Sequence, residues 1–260
     1  MMNPSDECAI QPKRSRFDPV LGPLAFLVAV GDDLRPLVRE ARRRGQAVYQ
    51  NQWLRVFRFG SGPEAVAFSG PVLGAPQAVM LLEKLIALGA RRVLFVGWAG
   101  SLDPALKPGD LLLPVRAVSE EGTSRHYAPE PDPRAPEGWI REIAGALERS
   151  GWPCRTGAVW TTDAPYRETW AKITAYRAAG VAAVDMETAA LFTVGLFRKI
   201  EVAALLIISD ELSGTRWQHA FRDPRFLQSR QRLREWLLLQ AIHREKESPA
   251  FPSSLGTSLA

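Results

Sequence analysis

The apolar runs of this chain are all short. "LAFLVAV" (24–30), "VAFSG" (66–70), "RVLFVG" (92–97), "GDLLLPV" (109–115), "GAVWTT" (157–162) and "VAALLIISD" (202–210) each follow or meet small and polar residues. Runs of this kind suit buried strands, whereas a membrane-crossing helix needs about 20 apolar residues. Between them lie longer amphipathic stretches. "PQAVMLLEKLIALG" (76–89) closes at Gly89, a residue suited to a helix C-cap. A last helix is predicted to open at Asp223-Pro224, with Pro at its first position and Leu233, Trp236, Leu237 and Leu239 on its buried side. Strands separated by helical segments predict an α/β fold, a central mixed β-sheet flanked by helices on both faces.

The chain has 260 residues, 46% of them hydrophobic and 23% charged, which is enough for one sizeable core. No internal repeat or long linker divides it. One domain over residues 21–245 is expected, between loose tails at 1–20 and 246–260 that are rich in Pro, Ser and charge. The N-terminal segment is polar and lacks the apolar centre of a secretion signal, so a cytoplasmic protein with no membrane association is expected. Cys8 and Cys154 have no motif spacing, and three histidines give little material for a metal site. The net charge is +5, but only "ARRRG" (41–45) is densely basic. A protein that binds a nucleic-acid groove concentrates its charge more than this, and an anionic small substrate explains the balance as well.

In a sheet of this class, ligands collect at the carboxyl ends of the strands. The exits here carry Gly31-Asp32, Ser69-Gly70, Gly97, Thr161-Thr162-Asp163, Asp185-Met186-Glu187 and Ser209-Asp210. Turn formation accounts for many of these residues. Glu187 and Asp210 ask for more, because each follows a strongly apolar strand, where an unpaired carboxylate costs several kcal/mol. A semi-buried carboxyl at Asp210 suits a proton donor to a leaving group, although a helix cap explains it too. "FVGWAGSLDPALKPGD" (95–110) reads as a glycine-rich turn in which Gly97 and Gly100 let backbone amides approach an anion. It matches neither the phosphate-loop nor the dinucleotide pattern. "GAVWTTDAPYRET" (157–169) sets Trp160 and Tyr166 beside hydrogen-bonding groups, which is one way to hold a planar heterocycle and is equally an ordinary core pattern.

In this order, "GxAGxLxxxLKPGDLLLP" from Gly97, "EGTSRHY", "TTDAPYRET", "VDMETAAL" and "ISDEL" resemble the nucleoside phosphorylase family, over about Phe26 to Leu212. "EGTSRHY" and "TTDAPYRET" look particularly like its uridine-phosphorylase-like branch. The resemblance implies cleavage of the N-glycosidic bond of a nucleoside with phosphate or water as acceptor, no cofactor beyond phosphate as co-substrate, and a homo-oligomer. It further implies that Met186 and Glu187 bind ribose and that Asp210 protonates a purine ring nitrogen as the bond breaks. Trp160, Thr161, Thr162, Tyr166 and Arg167 fall where the family holds the base. "GDDLR" (31–35) resembles the phosphate-binding segment of the phosphorylases, which implicates Gly31 and Arg35, with Gly97, Trp98 and Arg125 as further candidates around the anion.

Two positions depart from that pattern. Phe95 stands where the phosphorylases usually carry an Arg, and Trp98 where a small hydroxyl residue is expected. Losing a guanidinium removes a bidentate anion contact. The expectation is therefore a phosphorylase acting on a purine nucleoside, with hydrolysis of the same bond, or a uridine-type phosphorylase, as the alternatives.

Overall fold

The computed structural model describes residues 8–43, 48–50, 55–60, 64–128 and 133–247. The expected C-terminal tail from residue 248 onward, the first seven residues, and Arg44 and Gly45 of the basic cluster lie outside the described residues. The strands are β1 (Leu24–Val28), β2 (Val48–Gln50), β3 (Arg55–Phe59), β4 (Val66–Ser69), β5 (Arg92–Ser101), β6 (Leu111–Ser119), β7 (Arg155–Thr161), β8 (Val181–Asp185), β9 (Glu201–Glu211) and β10 (Gln218–His219). The helices are α1 (Gly31–Arg43), α2 (Ala75–Leu88), α3 (Glu137–Arg149), α4 (Trp170–Ala178), α5 (Thr188–Arg198) and α6 (Pro224–Glu247).

The sheet is mixed, as the sequence predicts, with strand order β10-β9-β6-β7-β8-β5-β1-β4-β3-β2. An additional parallel pairing of β5 with β9 closes a ring through β5, β9, β6, β7 and β8. Central strands are buried along nearly their whole length, which is why β9 reads as a continuous apolar run rather than an alternating one. The core runs from Phe26, Phe59 and Phe68 at one end of the sheet to Phe192 and Phe226. In α6, Leu233, Trp236 and Leu237 are buried as expected, but Leu239 is exposed.

The expected glycine-rich turn after Gly97 is instead strand. β5 continues to Ser101, with a register shift at Ala99/Gly100 that sets Gly100 opposite Asp210 on β9. The two glycines serve clearance. A Cβ on Gly97 would lie 2.9 Å from the ring of Phe95, and one on Gly100 would lie 2.9 Å from Oδ2 of Asp210. Sequence spacing carries no sign of such side-chain crowding.

Helices α2 and α5 pack side by side and carry two loops of the site on their N-termini. At their far ends, Arg198 of α5 donates to both oxygens of Glu83 of α2 at 2.8–3.0 Å. Glu83 is buried, and its nearness adds to burial in pushing the Tyr127 phenol up to about 12. Removing one partner of a buried pair strands the other charge. Arg198→Ala should therefore lower unfolding free energy by about 2 kcal/mol, less than the 3–5 kcal/mol of a wholly buried pair because the guanidinium is partly exposed. Urea denaturation measures this, and a loss below about 0.5 kcal/mol, the surface-pair range, would contradict it.

Candidate active site

The turn after β8 is built around a buried carboxylate. Asp185 accepts from Thr161 Oγ1 at 2.6 Å, from the Thr188 backbone N–H at 3.0 Å and from the Thr188 hydroxyl. Its own carbonyl accepts from Thr162 N–H at 3.0 Å. Burial pushes the Asp185 carboxyl above its ordinary range, against the pull of these donors. The network locks the exits of β7 and β8 to the start of α5.

That lock aims the next two residues. Met186 and Glu187 line a cavity of about 880 Å³ that also reaches Asp210, Gly31, Trp98 and Tyr166. Glu187 is buried, and its Oε1 accepts from the Gly74 backbone N–H at 2.6 Å, just ahead of α2. Burial, reinforced by the neighbouring Asp185 charge, holds the Glu187 carboxyl well above the usual carboxylate range. Such a group gains from hydroxyl donors that stabilise its ionised form.

Asp210, one residue before the end of β9, has both oxygens engaged: Ser209 Oγ donates to Oδ1 at 2.6 Å, and Trp217 Nε1 donates to Oδ2 at 2.8 Å. Trp217, Phe221, Trp170 and Glu168 also line this cavity, and none of them stood out in the sequence. Trp217 and Phe221 follow β9 on the β10 segment, which the sequence gives no reason to fold back over a strand end. The Glu168 carboxyl has no hydrogen-bond partner among the described residues. Burial, with the Asp210 charge nearby, pushes its carboxyl up to about 7.

At the opposite end, Gly31 begins α1, whose free amides favour an anion. Trp98 stands over this end. Its Nε1 donates to Asp33 Oδ2 at 2.9 Å, and its ring packs against Phe221, Phe226 and the Arg230 guanidinium. Asp33 is buried and accepts as well from Arg230 at 2.9 Å and Arg234 at 3.0 Å, both on α6.

The other residues expected at the site lie elsewhere. Trp160 is fully buried and stacks on Tyr176 at 4.5 Å, in a small core beneath the cavity. Thr161 and Thr162 are buried in the Asp185 network, and Arg167 is exposed beside Tyr166 without lining the cavity. Gly97 lies inside β5, away from the cavity wall. Arg125 is exposed on a short 3₁₀ turn, Ser124–His126, that is shaped by Glu121 accepting from the Thr123 and Ser124 amides. Arg35 pairs with Asp32 and points into a second, neighbouring groove. Phe95 is fully buried. Among the described residues, no group of His, Cys, Asp and Glu could hold a metal ion, and no helix is long and apolar enough to cross a membrane.

Glu168 makes the electrostatics of this cavity measurable. A carboxyl whose pKa is raised in the folded state binds its proton more tightly there than in the unfolded chain, so its contribution to stability falls as pH rises from 4.5 to about 7. Glu168→Gln has no such proton. The difference in melting temperature, variant minus wild type, should become more positive across that window, and a flat difference would refute the raised value.

The sequence profile of the phosphorylase superfamily matches residues 23–240. A guanosine phosphorylase of Halorubrum lacusprofundi is 24% identical over 168 residues, which is 64% of this chain and 70% of that protein. Matches to the curated relatives span between 60% and 70% of their own length. Among solved structures, a purine nucleoside phosphorylase of Toxoplasma gondii bound to immucillin-H superposes with a TM-score of 0.74 at 20% identity, over 88% of this chain and 94% of that one. An AMP nucleosidase of Bacteroides thetaiotaomicron superposes with a TM-score of 0.67 at 26% identity, over 88% and 91%. This chain belongs to the phosphorylase superfamily.

Proposed function

We propose that the protein is a nucleoside phosphorylase that cleaves the N-glycosidic bond of a purine nucleoside with phosphate, giving free base and ribose 1-phosphate. The observation that carries this is the meeting of Glu187, Asp210 and the α1 N-terminus on one cavity. Each supplies a different part of the reaction. Glu187, held at Oε1 by Gly74 N–H, accepts from the 2′ and 3′ hydroxyls, while Met186 packs against the sugar. Phosphate at the α1 N-terminus, beside Gly31, forms a bond to C1′ as the bond from C1′ to the base nitrogen breaks. Asp210 delivers a proton to the base, which improves it as a leaving group from an oxocarbenium-like transition state. Transfer from Oδ2 requires Trp217 to give up its hydrogen bond there. Tyr166 and Trp170 stand at the mouth, where they can cover the base.

The names of relatives support this reading: one curated relative is a guanosine phosphorylase, and one structural neighbour is a purine nucleoside phosphorylase. We extend it to a cytoplasmic enzyme of one domain, working without a cofactor as a homo-oligomer. Exposed Leu73 on the cavity wall and exposed Met80 on α2 support a partner subunit near the mouth.

Hydrolysis is a second reading, favoured by Trp98. Its indole N–H is already committed to Asp33, so it offers no donor to an incoming phosphate. The neighbour named AMP nucleosidase is consistent with that alternative.

Base release from inosine, guanosine, adenosine and uridine, measured with and without phosphate, separates the two. Phosphorolysis requires phosphate and yields ribose 1-phosphate, whereas release that ignores phosphate and yields free ribose would establish hydrolysis. Asp210→Asn should slow cleavage of purine nucleosides by about a hundredfold or more, the usual share of a general acid. An unchanged rate would remove Asp210 from the chemistry.

A further inference from the structure

The resemblance implicates Gly31 and Arg35, which stand on helix α1, yet the basic character of the helix continues well past them. Arg35, Arg39 and Arg42 are spaced i, i+4 and i+7, which puts them along one face over about 10 Å. With Arg43 and with Arg55 from β3, they line a groove of about 760 Å³ whose floor is Leu34, Val38 and Phe57. The groove is not a separate patch, because Gly31 and Pro71 line both it and the cavity that holds Glu187 and Asp210.

Its charge is only partly balanced. Arg35 pairs with Asp32, and Arg43 lies 3.8 Å from Glu40. Arg39, Arg42 and Arg55 have no acidic partner among the described residues, and all three are exposed. A structural surface would intersperse acids among such a row, and the buried side of the same helix does so, with Asp33 taking Arg230 and Arg234. Three uncommitted guanidinium groups beside an apolar floor are instead matched to the oxygens of a phosphate, which each can engage through two N–H donors.

We infer that this groove takes the phosphate group of a nucleoside 5′-phosphate whose nucleoside part occupies the adjoining cavity. The inference rests on the proposed function, since it uses the same orientation. The base lies toward Asp210, the ribose lies on Glu187, and the remaining direction from the sugar leads past Gly31 and Pro71 into the arginines. Phosphorylated substrate is thereby preferred over the free nucleoside.

The test uses the full chain, one purine nucleoside and its 5′-monophosphate, and the double variant Arg39→Gln/Arg42→Gln. Both positions are exposed, and Gln keeps helix propensity, so folding is preserved. The wild type should cleave the monophosphate with a kcat/KM about tenfold or more above that of the nucleoside, the scale of one charge-assisted contact. The double variant should lose that advantage while cleaving the nucleoside within about twofold of wild type. Equal kcat/KM for the two substrates in the wild type, or an advantage that survives the double variant, would overturn the inference. So would a variant whose only change is a higher KM for inorganic phosphate, because the groove would then serve the acceptor alone. If neither compound is cleaved, the proposed function fails and titration calorimetry still decides the groove. Tighter binding of the monophosphate than of the nucleoside, lost in the double variant, supports it, and equal binding refutes it.

Discussion

Asp185 is the point on which the site depends. A buried carboxylate is costly, and the protein offsets the cost by surrounding it with donors from Thr161 and Thr188. The result is a rigid junction of two strand ends and a helix start. Because Asp185 is fixed, Met186 and Glu187 project in one direction, and Gly74 from a distant loop meets Glu187 there. Asp185 and Glu187 lie two residues apart and divide the work: one holds the backbone, and the other faces the cavity. Their mutual repulsion raises Glu187 further, so its carboxyl gains from hydroxyl donors.

Much of this was legible in the sequence. Continuous apolar runs show buried strands, and a carboxylate at the exit of such a run is anomalous without a partner. That argument identified Glu187 and Asp210, both of which line the cavity. It worked less well for Trp160, Thr161 and Thr162. Alternation along β7 does not say which side of the strand faces the cavity, and in the structure these residues lie beneath it. Trp217, Phe221 and Glu168 escaped notice for another reason. Each reaches the cavity through a loop whose path is set by tertiary packing, and loops leave no period in a sequence.

The two departures from the family pattern have a common physical sense. Phe95 has gone into the core, and Trp98 has become part of a cluster with Asp33, Arg230 and Arg234. Guanidinium groups are still present at this end of the cavity, but they come from α6 and are neutralised by an acid. Free positive charge has moved outward, to the exposed face of α1. The α1 end of the cavity therefore sets a helix terminus beside a packed aromatic wall.

The Asp33 cluster also bears on how the protein comes into being on the ribosome. Asp33 and Arg230 are separated by 197 positions. Chains are made N-terminus first at about 5–20 residues per second, so Asp33 waits on the order of ten seconds or more for its counter-charge. During that interval α1 has an acid on its inner face with nothing to neutralise it, and Trp98 lacks the cation that later packs over its ring. The α1 end of the cavity thus waits longest for its packing partners, and a nascent chain stalled before α6 would display the turn at Met186 and Glu187 without the cluster of Trp98, Asp33 and Arg230.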